Sequence, residues 1–251
     1  MGQNYGSVFP KRELMVLNAD ASSAHVYPNS GTSWYSPMTN SLTGSLNSIS
    51  VADYTPSVAG KTAKAFVFPN GGSNGPTMPD SSLWDFRNTI SFDCVACKEN
   101  NSNRQSIWGQ INSSNPWNGM GVVNYSLDGN GNVGWWGGNY TGSANSWWNS
   151  GLAADVNEWV WVGGTWSGTT RKLFMREIGD TSFQTATTTS YGSFTGSTST
   201  GTFGLGSETS PSWGSNYILD GAIALVRIWT VALTDAEMYE CFENVRSRFG
   251  L

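Results

Sequence analysis

The sequence predicts an all-β protein, an antiparallel β-sandwich with a short C-terminal α-helix, and three observations carry that prediction. Short apolar runs of period two recur along the chain. Gly, Ser, Thr and Asn crowd the stretches between them, as tight turns require. Helical spacing is persuasive in one segment alone, at the C-terminal end. The composition of these 251 residues agrees: 13% are aromatic and 12% charged, with 13 Trp and 30 Gly, a mixture suited to twisted strands and turns rather than long helices. The length fits one domain spanning 1–251, with residues 1–13 as an N-terminal arm.

Taken in order, the strand signals are Ala63 to Phe68, Thr89 to Cys97, Ser106 to Ile111, Gly119 to Tyr125, Glu158 to Gly163, Lys172 to Arg176, Thr202 to Leu205 and Ala222 to Trp229. Between Leu127 and Val133 the pairs Asp128-Gly129 and Asn130-Gly131 tolerate positive φ. They predict a hairpin of Met120 to Tyr125 against Val133 to Trp136. Thr185 to Thr202 is nearly all Thr, Ser and Gly and reads as a loop within the domain. The helix is expected over 234–249. Thr234 and Glu237 form a capping box, and Met238, Cys241, Phe242, Val245 and Phe249 line one face. Acids come early and Arg246 and Arg248 late, and Gly250 ends the helix.

Three cysteines are a thin basis for a disulfide framework. Cys94 and Cys97 lie in a strand, where residues three apart face opposite sides, so their thiols are expected to diverge; Cys241 is expected to point inward from the helix. No second Cys pair accompanies the single His25, which argues against zinc.

The net charge of −5 and the lack of any Lys/Arg stripe exclude nucleic acid as an expected partner. No run of ~18 apolar residues calls for membrane insertion, and the opening residues carry no Sec-type signal.

The run Leu219-Asp-Gly-Ala-Ile-Ala-Leu-Val-Arg-Ile-Trp-Thr-Val-Ala-Leu-Thr-Asp-Ala-Glu237 resembles the closing signature of concanavalin A-like lectin/glucanase (laminin G-like) jelly-roll domains, their last core strand and the small helix after it. Asn157 to Met175 is similar to a hairpin of the same family. Leu17 to Tyr35, with Tyr27-Pro28-Asn29-Ser30-Gly31-Thr32 at its centre, resembles the opening common in bacteriophage and large-virus proteins of this fold, and Asn244 to Leu251 their close. The pattern departs at Ser36, where an Asp usually stands. The resemblance implies a virion protein: a head decoration, fibre or tail appendage assembled in the host cytoplasm, with other virion proteins and copies of itself as partners and host-surface glycans as a further one.

The same fold hosts glycosidases, which need paired carboxyls. No E-x-D-x-E strand motif occurs. Asp93 stands alone among strand acids and Glu158 only begins its strand, so no enzyme is expected. With one histidine in a loop, nucleophilic triads have no base to build on. No cofactor is expected; for calcium, which many relatives bind, the candidates are Asp20, Asp80, Asp85 and Asp220, without an Asp-rich loop of recognisable spacing.

The tryptophans are the remaining lead, since indoles stack on the C–H faces of sugars while neutral polar groups fix hydroxyls. The candidate carbohydrate-binding residues are Trp117, Trp136, Asn139, Tyr140, Trp148 and Trp213, whereas the alternating Trp159 and Trp161 read as packing. Loop wedging and contact with neighbouring subunits compete with sugar binding as explanations of these tryptophans. A stand-alone carbohydrate-binding adhesin is therefore the alternative to a virion structural role.

Overall fold

In the computed structural model, which describes residues 10–28, 30–36, 42–68, 75–84, 89–101, 105–112, 117–124, 132–140, 148–190, 202–207 and 218–251, two antiparallel eight-stranded sheets face each other. The first runs in spatial order β14 (Gln184–Thr188), β13 (Thr170–Arg176), β12 (Val160–Ser167), β7 (Thr89–Lys98), β16 (Gly221–Trp229), β5 (Ala63–Phe68) and β4 (Ser50–Tyr54). Its eighth strand, β1 (Met15–Asp20), also pairs with β16. β5 takes the Gly221 to Ile223 half of β16 and β1 the Leu225 to Trp229 half. The second sheet runs β11 (Trp148–Ala153), β10 (Asn132–Tyr140), β9 (Trp117–Asn124), β8 (Gln105–Asn112), β15 (Phe203–Leu205), β6 (Thr77–Met78), β3 (Thr43–Ser45) and β2 (Ser33–Tyr35).

Strand parity sorts the apolar residues into two layers. On β7, Ile90, Phe92, Cys94 and Ala96 face the second sheet, meeting Trp34, Met78, Trp108, Phe203 and Leu205 in the inter-sheet core. Val95 and Cys97, on the alternate positions, belong to a second cluster with Trp159, Trp161, Phe242, Val245 and Phe249, which α1 (Asp235–Glu243) and α2 (Arg246–Phe249) cover. The centre of the first sheet is thus buried on both faces: every residue of β16, and every residue of β7 after Thr89, is buried, and β16 reads as a nearly unbroken apolar run for that reason. A bulge between Ile223 and Leu225 lets Ala224 and Leu225 both join the helix-side cluster. Gly221 begins the strand at φ 142°, where a Cβ would stand 2.1 Å from the Cys97 carbonyl oxygen.

The helix docks as its sequence dictates. The Thr234 hydroxyl accepts from the Glu237 amide at 3.3 Å and the Glu237 carboxylate accepts from the Thr234 amide at 2.7 Å. The expected single helix over 234–249 is divided at Asn244–Val245, and Gly250, at φ 84°, closes the second piece. Phe242 meets Trp161 edge-on at 5.6 Å and Phe249 meets Trp159 at 5.5 Å, pairs that add about 1 kcal/mol each beyond their buried area. All three thiols are free and buried, with Cys94 and Cys97 in different clusters and Cys241 inward.

Between sheet and helix lies a buried ion pair. Arg227 donates through Nε to Asp93 Oδ1 at 2.8 Å and through Nη2 to Asp93 Oδ2 and, at 3.0 Å, to the Cys241 carbonyl; Trp161 Nε1 donates to Asp93 at 3.1 Å. Asp93 is therefore a structural anchor for the helix; it does not stand alone among strand acids as expected, since β1 ends on Asp20 and β4 contains Asp53.

The hairpin expected around Asp128-Gly129 is present, Val133 pairing with Asn124 and Trp136 with Gly121; its turn lies outside the described residues. Thr185 to Thr188 is not loop but part of edge strand β14, paired with Arg171 to Phe174: the ladder accepts β-branched Thr whether or not apolar residues alternate with it. The short strands β2, β3, β4 and β6 also escaped the periodic reading. Of the N-terminal arm, Pro10 to Glu13 are described and are held, with Trp229 Nε1 donating to the Pro10 carbonyl at 3.1 Å and Lys11 paired with Glu237 at 3.2 Å. No helix among the described residues is long and apolar enough to cross a membrane.

Candidate functional site

The outer face of the second sheet is defined by its register. Trp108, Leu205 and Val133 are core residues, so the positions alternating with them form the opposite face. One cross-strand row on that face reads Ser33, Ser45, Thr77, Gly204, Gly109, Gly121 and Trp136. Two further rows lie beside it on β9 and β10, Gly119 opposite Gly138 and Trp117 opposite Tyr140. Gly109 and Gly204 are buried. The β9–β10 part of the face is then a pair of facing glycines bracketed by one aromatic position on one side and two on the other. Glycine in a strand interior marks a place where another group approaches the backbone closely. The eight strands of this sheet contain no Lys, Arg, Asp or Glu.

This register sorts the residues expected to bind carbohydrate. Trp117, Trp136 and Tyr140 occupy positions on the outer face; their side chains lie outside the described residues. Asn139 pairs with Asn118 and shares the parity of core residue Val133, so alternation puts it on the other face from Trp136 and Tyr140. Trp148 is 6% exposed and belongs to the inter-sheet core; it sits opposite Trp135 on β10, and core packing rather than sugar contact accounts for it. Trp213 lies outside the described residues.

Among the described residues the calcium candidates Asp20, Asp80 and Asp220 do not assemble. Asp20 is engaged bidentately by Arg248 at 2.7 and 2.9 Å and accepts from Ser22; burial opposes its ionisation, but these partners hold the carboxyl below the usual range. Asp220 accepts from the Asn100 amide, while its backbone N–H donates to Gln105 at 3.0 Å. Asp80 is exposed, and Asp85 lies outside the described residues.

A different acidic group does form. Asp155, Glu158 and Glu177 each offer a carboxylate oxygen within 4.8 Å of the others, the only such group among the described residues. Glu177 accepts from the Asp155 amide at 2.6 Å. Burial, reinforced by Glu177 and Asp155, pushes the Glu158 carboxyl up to about 7. Burial also raises Glu177, and it lowers Lys98 to about 8 against the pull of Asp155 and Glu177. The sequence hides this cluster because its members come from the loop before β12, that strand's approach and the end of β13. Carboxyls this close match glycosidase spacing, but Glu158 and Glu177 are only 8% and 9% exposed. The adjoining pocket, lined by Lys98, Ile107, Asp155 and Leu219 among others, has room for about one water.

No protein-family model matches the chain, and no curated protein does. Its fold is similar to solved structures. Domain 4 of AbnA, a GH43 extracellular arabinanase from Geobacillus stearothermophilus solved with arabinotriose, is 16% identical with a TM-score of 0.56, over 89% of this chain and 95% of that one. The CBM40 of a Ruminococcus gnavus IT-sialidase bound to alpha2,3 sialyllactose is 14% identical with a TM-score of 0.51, over 69% and 92%. A Trypanosoma rangeli sialidase is 12% identical with a TM-score of 0.56, over 93% of this chain but only 33% of the sialidase. At these identities the likeness is one of fold: a β-sandwich.

Proposed function

We propose that this chain is a non-catalytic glycan-binding module whose ligand lies on the outer face of β9 and β10. The observation that carries the reading is the register that brings positions 117, 136 and 140 together on one face beside the facing glycines Gly119 and Gly138. Aromatic rings stack on the C–H face of a sugar, and missing Cβ atoms let it approach the backbone. Two neighbours of this fold carry an oligosaccharide, which supports the reading by analogy of fold. Hydrolysis is not favoured, because Glu158 and Glu177 are only 8% and 9% exposed and the pocket beside Asp155 has room for about one water.

The test is a glycan array followed by titration calorimetry on the hits. Trp136→Ala and Trp117→Ala are each expected to weaken binding about tenfold or more, about 1.4 kcal/mol, with the unfolding midpoint unchanged. A folded chain that binds no glycan would sink the proposal.

The module's place is proposed to be a virion appendage. The two stretches that resemble viral proteins, Leu17 to Tyr35 and Asn244 to Leu251, meet in the Asp20–Arg248 ion pair, which supports reading them as one unit rather than two chance matches. Antibody to this chain should label purified virions in immunogold microscopy; unlabelled virions would remove this placement and leave the adhesin alternative.

A further inference from the structure

We infer that the ligand of the β9–β10 face is an uncharged glycan, an inference that rests on the glycan-binding reading above and narrows its ligand class. The chain has 13 Lys and Arg and 18 Asp and Glu, and none of them falls on any of the eight strands of the second sheet. The first sheet, by contrast, carries Asp20, Asp53, Lys64, Asp93, Lys98, Arg171, Lys172, Arg176 and Arg227.

A sugar bearing a carboxylate or sulfate is recognised by cations, above all by the paired N–H groups of Arg. An anionic ligand would meet no such partner on this sheet, and the chain's net charge of −5 would oppose its approach. A neutral sugar needs less: aromatic surface for its apolar face, and backbone and neutral polar groups for its hydroxyls. The face supplies the aromatic positions 117, 136 and 140 and, at Gly119 and Gly138, backbone that carries no Cβ. Position 136 and the 117/140 pair stand four residues apart along the strands with glycines between them, roughly 13 Å at the rise of a β-strand, a span of about two sugar rings.

The full-length chain, titrated with arabinotriose, lactose and alpha2,3 sialyllactose at ~50 and ~500 mM NaCl, tests the inference, the salt range spanning the regime in which charge–charge attraction is screened. The expected result is binding of at least one neutral sugar, with affinity constant within about twofold across salt, and no tighter binding of sialyllactose than of lactose. Trp136→Ala is expected to lose that binding about tenfold and Trp136→Phe to keep most of it. If sialyllactose binds tenfold more tightly than lactose and weakens with salt, the ligand class is overturned while sugar binding stands. If no glycan on a full array binds the folded chain, the glycan reading itself falls and takes this inference with it. A concentration-dependent dimer that Trp136→Ala abolishes would assign the face to a second copy and overturn both.

Discussion

Replacing Arg227 by Met is expected to be among the most destabilising single changes in the protein. Both Arg227 and Asp93 are 0% exposed, and Asp93 accepts two hydrogen bonds from the guanidinium and one from Trp161. Removing the cation leaves a carboxylate in a dry interface with one indole donor, a situation that costs ~3–5 kcal/mol. It also strips the Cys241 carbonyl of its Arg227 donor, adding about 1 kcal/mol. For a chain of this size each kcal/mol moves the unfolding midpoint by ~2–4 °C, so a shift of roughly 10 °C or more is expected. Asp93→Asn should be costly for the mirror reason, a buried guanidinium without its counter-charge. The double variant Asp93→Asn/Arg227→Met leaves no buried charge and keeps an acceptor for Trp161. It should be more stable than either single variant, with an interaction energy of ~3 kcal/mol by urea denaturation in a double-mutant cycle. Additivity of the two changes within ~0.5 kcal/mol would refute the pairing and with it the account of how the helix is anchored.

Three further outcomes are expected. Glu158 holds its proton up to about pH 7 in the folded state and to about 4.3 in an unfolded chain, so between these values the folded state binds more protons and stability falls as pH rises. The slope is at most ~1.4 kcal/mol per pH unit for this group; urea midpoints at pH 5 and pH 7.5 read it, and Glu158→Gln should flatten it. Gly163→Ala places a Cβ 2.3 Å from Met238 Cε and 2.5 Å from the Trp161 ring. That overpacking should cost ~1–3 kcal/mol and make the C-terminal helix more accessible to limited proteolysis. Thr234→Ala removes the cap that accepts from the Glu237 amide and should cost ~1 kcal/mol, measured by thermal unfolding; no loss would show that the tertiary contacts alone hold the helix.

Much of the architecture was legible locally. The alternation in Thr89 to Cys97 and Ala222 to Trp229, the hairpin of β9 with β10 and the capping box at Thr234 are all short-range signals, and each corresponds to an element of the structure. Two- and three-residue strands such as β3 and β6 depend on the ladder beside them, and the Thr-rich β14 has no apolar alternation to betray it.

The candidate site divides the same way. Choosing aromatic residues near Asn is a composition argument, and it could not tell Trp148, which the core takes, from Trp136, because both sit in Trp-Trp pairs. Strand register decides between them: a shift of one residue reverses a face, and register is a property of pairs of strands. The cluster of Asp155, Glu158 and Glu177 likewise exists only because β12 and β13 pair. What the sequence determined by itself was the kind of element its longer periodic segments become and which segments carry no charge, since side-chain period and residue type are local. Only the tertiary structure decided that those uncharged segments lie side by side in one sheet, that the centre of the other sheet is buried on both faces, and which aromatic positions share a face, because each depends on pairing between residues far apart in the chain.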